Sequence, residues 1–287
     1  MKVLVTGAAG RLGSVVCEAL LARGHEVRAT DQRFRARAPV PIALADLREE
    51  LAAYPLLEGM EALVHLGNHP NLLAGPSPQA VLAENVAMNS NVFRAALDLG
   101  VRRIVFASSI QAMVRLEEGA LEAPYTLPYF PLDGLAPANP GANFYGLSKE
   151  FGERMLQVLC QGSPELCASA FRFPVLAADA WIRRMKQPPS ASWLNLCEGL
   201  TYLEFADAAA VVGLALERQK PGYHQYFPAQ ALRIAGYTVE ATLAKFFSAT
   251  PLRRPAAEIQ SLVDPTSLEA DLGFVPSPPL TVELPNG

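Results

Sequence analysis

Three glycines near the start of the chain constrain its fold more than any other feature. Gly7, Gly10 and Gly13 follow the apolar run KVLVT and open a helical pattern that we predict from Leu12 to Arg23. A helix that begins at such a turn presents backbone N–H groups that bind phosphate. Gly7 can allow the tight turn, Gly10 the approach of a pyrophosphate, and Gly13 close packing of helix on strand. The spacing predicts a dinucleotide site, although the same glycines can also serve chain geometry alone.

Short apolar runs alternate with helical patterns through the first half of the 287-residue chain. After HEVRATD we predict a helix from Arg48 to Leu57, then the strand EALVHLG, a long helix from Pro78 to Leu99 and the strand RRIVFASS. Hydrophobic residues make up 51% and charged residues 18%, which suits a parallel sheet covered on both faces. We predict an α/β fold, a Rossmann doubly wound parallel sheet with a small C-terminal substrate-binding lobe.

Composition excludes several classes of protein. A formal net charge of -4 without a long basic run argues against nucleic acid as a partner. The four cysteines form no C-x-x-C pair, so we expect neither a metal site nor a disulfide framework, but free thiols in a cytoplasmic protein. No stretch is long enough to span a membrane, and the opening apolar run is too short for a signal peptide.

An aspartate follows the second predicted strand. Asp31 stands 24 residues after Gly7, where its carboxylate can accept hydrogen bonds from the adenosine ribose. It would repel a ribose 2′-phosphate, which favours NAD over NADP. Arg33, Arg35 and Arg37 leave NADP open, because they can neutralise that phosphate as well as form an exposed basic loop.

Tyr145 and Lys149 lie four residues apart and therefore on one face of a helix that Asn143 can cap. A nearby ammonium favours the phenolate and brings a tyrosine towards use as an acid or base. Ser109 ends a strand at the carboxyl edge of the predicted sheet, where it can bond the reacting hydroxyl or carbonyl oxygen. These three residues are our catalytic candidates, although Ser109 by itself can be a simple cap.

The irregular segments suggest where the substrate binds. Residues 116–142 form a long loop rich in Pro and Gly, and loops of that length are usually functional. Irregular composition returns after Phe173. We predict that residues 1–173 and 201–225 form the dinucleotide-binding domain, and that residues 174–200 and 226–287 form the substrate-binding lobe.

In this order, VTGAAGRLG, VHLGN, NVAMNSNVFRAA, IVFASS, YGLSK, FRFP and DPTSLEADLGFVPS resemble the extended short-chain dehydrogenases/reductases, in particular the NAD-dependent epimerase/dehydratase branch. The resemblance implies that Tyr145 is the acid/base, Lys149 its activator and Ser109 the carbonyl partner. It also implies a homodimer through the helices that contain Asn85 and Tyr145. The cofactor residues that we predict are Gly7, Gly10, Arg11, Leu12, Gly13, Asp31, Asp46, Leu47, Leu66, Gly67, Asn85, Tyr145, Lys149, Phe173 and Pro174.

Within this branch, VHLG, RIVFASS and YGLSKEFGE are most similar to uronate dehydrogenases. Arg184 falls where those enzymes place an arginine for the substrate carboxylate, a task that suits a guanidinium. Two departures concern the substrate pocket: Ile110-Gln111 replaces an Asn-His pair, and a loop beginning at His69 replaces a serine-bearing one. His69, Gln111 and Arg184 are therefore our substrate-binding candidates.

Three functions are compatible with these residues. The first is hydride transfer between NAD and a hydroxyl or carbonyl carbon of a carbohydrate-like substrate, a sugar or sugar acid. The second is epimerisation or dehydration of a nucleotide sugar with NAD retained. The third is NAD binding without chemistry, against which the intact group of Ser109, Tyr145 and Lys149 argues.

Overall fold

The computed structural model describes residues 1–116, 126–185 and 196–284. Parts of the predicted long loop and of the predicted lobe, residues 117–125, 186–195 and 285–287, lie outside the described residues. The strands are β1 (Lys2–Thr6), β2 (Glu26–Asp31), β3 (Ile42–Leu44), β4 (Ala62–His65), β5 (Arg103–Ser109), β6 (Cys167–Phe173), β7 (Val175–Ala177), β8 (Thr201–Glu204), β9 (Gly222–Tyr226), β10 (Gln230–Ala231), β11 (Arg233–Ile234) and β12 (Thr281–Val282). The helices are α1 (Arg11–Ala22), α2 (Tyr54–Leu57), α3 (Pro78–Asp98), α4 (Phe144–Gly162), α5 (Asp179–Met185), α6 (Phe205–Arg218), α7 (Val239–Phe246) and α8 (Thr266–Leu272).

The central sheet has seven strands in the order β3-β2-β1-β4-β5-β6-β9. Every neighbouring pair in it is parallel. The order reverses between β1 and β4, so their carboxyl ends open a crevice of the kind in which α/β sheets bind ligands. This architecture confirms the predicted doubly wound Rossmann fold.

Two apolar layers cover the central sheet. On one face α1 and α6 pack against each other and against β1 and β5, through side chains such as Val16, Leu20 and Val212. On the other face α3 and α4 pack together, through side chains such as Val92, Phe93 and Leu156. The inner strands carry apolar residues on both faces because both faces are buried.

A third apolar cluster lies apart from the central sheet. It joins Phe130 and Leu132 of the loop after β5 to Tyr202 of β8 and Leu243 of α7. Two small sheets, β10-β8-β7 and β11-β12, belong to this region. The division of the chain into a cofactor domain and a substrate lobe at the predicted residue numbers stays a prediction.

The predicted helix from Arg48 to Leu57 is wrong over most of its length. Only Tyr54–Leu57 is helical, and the preceding residues form turns that begin with the bond from Glu49 N to Asp46 O. Pro55 suits the first turn of a helix, where its missing N–H costs nothing, and cannot lie in the interior of a longer one. Among the described residues, no helix is long and apolar enough to cross a membrane.

Candidate active site

The glycine-rich turn connects β1 to α1 and needs glycine for two separate reasons. Gly7 has a φ of 66°, and a Cβ there would approach the Leu66 carbonyl oxygen to 2.7 Å. A Cβ on Gly13 would collide with the carbonyl oxygen of Gly7. The turn thus packs directly on the chain after β4 and on its own helix, with no room for a side chain at Gly7 or Gly13.

The amino end of α1 is open to an anion. Gly10 is its N-cap and has no side chain with which to bond the first N–H groups. Such N–H groups attract phosphate because they carry partial positive charge. An open helix terminus and a turn of glycines and alanines fit the pyrophosphate of a dinucleotide.

Asp31 lies at the end of β2, beside this turn. Its carboxylate accepts hydrogen bonds from the backbone N–H groups of Ala9 and Arg33, both at 3.0 Å. Arg35 donates to the Ala9 carbonyl oxygen at 3.1 Å, whereas the side chains of Arg33 and Arg37 extend from an exposed segment. Of the three arginines, Arg35 is therefore the one whose guanidinium contacts the turn.

A buried hydrogen-bond chain supports the other side of the crevice. Thr6 Oγ1 accepts bonds from the N–H groups of Leu66 and Gly67, at 3.1 and 3.0 Å. Its own proton is then donated to His65 Nδ1, 2.7 Å away, so His65 carries its proton on Nε2 and donates to Asn89 Oδ1 at 3.0 Å. Burial lowers the pKa of His65 to about 3, which keeps the ring neutral. Sequence reasoning missed Thr6 and Asn89.

Tyr145 and Ser109 meet at the carboxyl end of β5. Asn143 caps α4, accepting a bond from Gly146 N at 3.1 Å, and so sets Tyr145 in the first turn. Burial raises the pKa of Tyr145 to about 12, while a hydrogen bond from Ser109 lowers it and the charge of Glu198 raises it. The buried phenol therefore has a raised pKa, and the predicted effect of Lys149 on it stays a prediction.

Lys149 lies one turn further along α4 and is almost fully buried. Its Nζ donates to Asn68 Oδ1 and to the Ala107 carbonyl oxygen, both at 2.8 Å. Burial lowers the pKa of Lys149 to about 7, opposed by the carboxylate of Glu153. Asn68, which follows the VHLG strand, is a site residue to which sequence reasoning assigned no role.

The Asn85 side chain joins three segments of the site. Its Oδ1 accepts from His69 N at 2.8 Å, and its Nδ2 donates to Ser148 Oγ at 3.0 Å. Ser148 in turn donates to the carbonyl oxygen of Tyr145 at 2.7 Å. Asn85 is fully buried, so these bonds tie α3 and the chain after β4 to α4. Its contact with the cofactor stays a prediction.

A fully buried ion pair lies behind Tyr145 and Lys149. Arg172 of β6 bonds both oxygens of Glu153 on α4, at 2.9 and 2.7 Å, and also donates to the Ala136 carbonyl oxygen. Ser108 donates to the same carboxylate at 2.5 Å. The pair links β5, β6, α4 and the loop after β5. Sequence reasoning missed it, because its partners are 19 residues apart on different elements.

His69 and Asp46 belong to one chain of polar contacts along the edge of the crevice. His69 Nε2 lies 2.8 Å from Glu84 Oε2, which also accepts from Arg48 at 3.0 Å. Arg48 pairs with Asp46 and lowers the pKa of that carboxyl to about 2. Gln32 donates to Asp46 at 2.7 Å. The predicted adenine and substrate contacts of Asp46 and His69 stay predictions, since both side chains bind protein groups here.

Gln111 bridges the amino end of α4 and the predicted lobe. Its Oε1 accepts from Asn143 at 2.7 Å, and its Nε2 donates to Glu198 Oε1 at 2.6 Å. The other oxygen of Glu198 accepts from Val175 N at 3.2 Å. Glu198 was not among the predicted site residues, because it lies in an irregular segment that no motif marks.

The remaining candidates occupy varied positions. Phe173 ends β6 in register with Ser109, and Pro174 follows it. The guanidinium of Arg11 lies 5.5 Å from the Phe205 ring centroid. Arg184 is exposed on α5, and its binding of a substrate carboxylate stays a prediction. Leu12 packs on the core and Leu47 is buried.

Residues 1–116, 126–185 and 196–284 contain no cluster of three or more His, Cys, Asp or Glu residues that could hold a metal ion.

The parallel sheet, with a glycine-rich turn where its strand order reverses, defines a Rossmann-fold protein of the dinucleotide-binding type. The chain belongs to the NAD-dependent epimerase/dehydratase family, whose family model matches residues 3–190. This membership confirms the family resemblance and the enzyme class predicted from the sequence, and with them NAD as the cofactor of the class.

Three curated relatives are sugar dehydrogenases by name. Uronate dehydrogenase of Pseudomonas putida is 32% identical over 157 residues, which cover 53% of each chain. NAD-dependent glucose-6-phosphate dehydrogenase and L-arabinose 1-dehydrogenase (NAD(P)(+)), both of Haloferax volcanii, are 32% and 33% identical over 53% and 54% of this chain, and over 60% and 59% of their own. The chain thus spans little more than half the length of these relatives.

A solved structure with the same fold is the UDP-glucose 4-epimerase of Thermus thermophilus in complex with NAD. It superposes with a TM-score of 0.66 at 23% identity, over 96% of this chain and 94% of that chain. At this identity the likeness concerns the fold.

Proposed function

We propose that this chain catalyses the NAD-dependent oxidation of a hydroxyl-bearing carbon of a carbohydrate, and the reverse reduction. The observation that carries the proposal is the placement of two buried side chains, Tyr145 and Lys149, near Ser109 at the carboxyl end of β5, with Lys149 Nζ 5.6 Å from the Tyr145 ring centroid. A phenol so placed can take a proton from a substrate hydroxyl. Relatives that act on sugars by name support a carbohydrate as the substrate.

The glycine-rich turn would hold the cofactor. NAD supplies the acceptor for the hydride that leaves the substrate carbon. The open N–H groups of α1 would bind its pyrophosphate, and the Asp31 carboxylate would accept bonds from the adenosine ribose. Arg35 would lie beside that ribose, where it can neutralise a 2′-phosphate. We therefore expect the protein to use NADP as well, but less efficiently than NAD.

Tyr145 would move the proton. In the oxidation, its phenolate takes the hydroxyl proton as hydride leaves the same carbon, so the substrate loses two electrons and two hydrogens in all. Ser109 would donate a hydrogen bond to the reacting oxygen. Lys149 would keep two of its N–H groups on Asn68 and Ala107 and offer the third to a ribose hydroxyl.

We further propose a homodimer formed through α3 and α4. These helices pack against each other, and α4 exposes two apolar side chains beyond Lys149, Phe151 (41%) and Val158 (49%). The two side chains stand seven residues apart and hence on one face of the helix. Light scattering of the wild type and of Phe151→Glu tests this interface: a dimer that the substitution dissociates supports it, and a monomeric wild type contradicts it.

We propose a cytoplasmic location because of the state of the four cysteines. Cys17, Cys160, Cys167 and Cys197 are all free thiols, and burial raises the pKa of each, which keeps them protonated and unreactive. Free thiols of this kind persist in a reducing compartment.

The function is tested by following NADH absorbance with a panel of aldoses, uronates and nucleotide sugars. NADH formation that depends on one sugar class, with a lactone or ketone as product, supports the dehydrogenase. Substrate conversion without net NADH, by protein purified with bound NAD, would instead indicate an epimerase. Tight NAD binding without conversion of any compound would indicate a protein that binds NAD without catalysing a reaction.

A further inference from the structure

We propose that Glu153 is a positioning residue that acts through Lys149: its buried carboxylate keeps the lysine in the ammonium form and so leaves one N–H group of Lys149 for the cofactor. The role of that N–H group rests on the proposed function, whereas the charge of Lys149 is a property of the protein alone.

Lys149 and Glu153 lie on one face of α4, because four residues separate them. Both side chains bond to the same end of β5. Lys149 Nζ donates to the carbonyl oxygen of Ala107 at 2.8 Å, and Glu153 Oε1 accepts from the hydroxyl of the next residue, Ser108, at 2.5 Å. The ammonium and the carboxylate are therefore bound to neighbouring residues of one strand.

The charges of this cluster are removed from water. Lys149 is 4% exposed, and both Glu153 and Arg172 are 2% exposed. Arg172 bonds both oxygens of the Glu153 carboxylate, and an arginine is not deprotonated in proteins. The cluster thus has two positive groups and one negative group when Lys149 is charged. Without Glu153, two buried cations would share no counter-charge within the cluster, and only the lysine can become neutral.

Other carboxylates are not placed to take over this role. Among the described residues, the buried carboxylates are Glu153 and Asp133, and Asp133 pairs with Arg253 in a different part of the molecule. Glu150 of α4 is half-buried, and Glu198 acts on the phenol of the site. Glu153 is the carboxylate whose charge acts on Lys149.

The other titratable side chains around the cluster are neutral near pH 7. Burial raises the pKa of Tyr145 to about 12, raises the pKa of Tyr223 on β9, and lowers the pKa of His65 on β4 to about 3. The polar side chains that the neighbouring elements contribute among the described residues are amides and hydroxyls: Asn85 and Asn89 of α3, Asn68 after β4, Ser108 and Ser109 of β5, and Gln111 in the turn after it.

The charge of Lys149 decides whether it has a donor to spare. Asn68 Oδ1 and the Ala107 carbonyl oxygen already take two N–H groups. An ammonium has three N–H groups and a neutral amine has two, so only the charged lysine can also donate to a ribose hydroxyl. Burial lowers the pKa of Lys149 to about 7, and Glu153 opposes this decrease. Because this value is close to neutral pH, the contribution of Glu153 decides which form is present.

The charge of Lys149 can be measured without cofactor or substrate. The protein is produced with lysine labelled with carbon-13 at Cε, and each Cε signal is followed by NMR as the pH is changed. The signal of Lys149 is the one that is missing in Lys149→Arg. Glu153→Gln removes one negative charge and keeps the size of the side chain. The control Glu150→Gln makes the same change on the same helix, at a half-buried residue.

We expect Glu153→Gln to lower the pKa of Lys149 by about one unit or more, because the ammonium loses its buried counter-charge. Glu150→Gln should change that pKa by less than about a third as much, since solvent screens its charge. A pKa that does not fall in Glu153→Gln, or that falls equally in the control, overturns the proposal.

Two further variants separate charge from packing. Arg172→Gln removes a positive charge and should raise the pKa of Lys149, which keeps the test decisive if Glu153→Gln does not fold. The double variant of Glu153→Gln with Arg172→Gln removes one charge of each sign. It should return the pKa of Lys149 to within about half a unit of the wild-type value. A pKa that does not rise in Arg172→Gln, or that stays low in the double variant, contradicts a role based on charge.

Cofactor binding tests the use of the third N–H group. Lys149 is charged below its pKa, so the affinity for NADH should decrease by about fivefold as the pH rises through that pKa, the cost of one hydrogen bond. Glu153→Gln should move this decrease to lower pH. The measurement is a fluorescence titration with NADH between about pH 5 and 9. An affinity that does not follow the pKa of Lys149 in the two proteins overturns the role of the third N–H group.

The same measurements separate this inference from the proposed function. If the pKa of Lys149 shifts as expected although no sugar reduces NAD, the role of Glu153 stands and the oxidoreductase function fails. If a sugar reduces NAD but Glu153→Gln leaves the pKa of Lys149 unchanged, the function stands and the inference fails.

Discussion

The side-chain nitrogen of Lys149 lies over the face of the Tyr145 ring, 5.6 Å from its centroid. Its hydrogen bonds to Asn68 Oδ1 and to the Ala107 carbonyl oxygen hold the ammonium over the ring. Ser109, at the end of β5, lies near the phenol and lowers its pKa. The predicted pair is therefore a set of four side chains, in which Asn68 orients the lysine.

Replacing Tyr145 by Phe should abolish turnover and leave the cofactor bound. The phenol oxygen is the proposed proton acceptor, whereas the glycine-rich turn and Asp31 lie on other elements. We expect kcat to fall by about a thousandfold or more, with NAD affinity within about twofold of wild type as measured by fluorescence titration. Residual activity above about a tenth of wild type would remove Tyr145 from the mechanism.

The oxidation rate should rise with pH, and Ser109→Ala should move that rise to higher pH. Phenolate is the active form, and burial holds the pKa of Tyr145 at about 12, so its fraction grows as the pH approaches that value. The Ser109 hydrogen bond lowers this pKa; its removal raises it. The check is kcat/KM between about pH 6 and 10 at saturating NAD. A curve for Ser109→Ala that shifts to lower pH contradicts the assignment.

Thr6→Val should destabilise the protein although the side chain keeps its size. The hydroxyl accepts from two backbone N–H groups and donates to His65, and all three partners lose their bond in a buried place. We expect the free energy of unfolding to fall by about 2–3 kcal/mol, measured with urea. Thr30→Val is the matched control, since that buried hydroxyl makes one bond, to the Ala43 carbonyl oxygen. Equal losses in both variants would show that the network adds nothing.

The buried pair of Arg172 and Glu153 should be intolerant of single substitution. Arg172→Met leaves the Glu153 carboxylate without its bidentate partner, and breaking such a pair costs about 3–5 kcal/mol. The double variant Glu153→Gln with Arg172→Met should lose less than the sum of the two single variants. Denaturant unfolding of all four proteins measures this coupling, and additive losses would argue that the two groups act independently.

Asp31→Asn should weaken the discrimination between NAD and NADP. The carboxylate would repel a 2′-phosphate, and Arg35 is already at the turn to receive one. We expect the NAD-to-NADP ratio of kcat/KM to fall by about tenfold or more. Glu26→Gln, which removes an exposed charge at the other end of β2, serves as the control. A wild-type protein that prefers NADP would contradict the proposal that NAD is the preferred cofactor.

Local patterns along the chain determined the class of fold. The strand, glycine turn and helix at the start could be predicted because turn chemistry and apolar period are properties of neighbouring residues. The same holds for α3, whose predicted and observed limits agree closely, and for Tyr145 and Lys149 on one face of α4. The prediction of a helix before Pro55 was wrong. Side-chain hydrogen bonds around Asp46 occur there, and the apolar pattern of neighbouring residues does not reveal them.

Only the tertiary structure decided which polar groups meet around that helix. Thr6 bonds His65 across 59 residues, and Gln111 bonds Glu198 across 87. No local periodicity encodes such partners. They depend on which strand ends lie at the same edge of the central sheet and on where the irregular lobe contacts that edge. Burial also shifts the pKa values of Tyr145 and Lys149, and burial exists only once every layer has packed. The sequence by itself determined that a phenol and an amine share a helix face; the packed structure decided their partners and their charge.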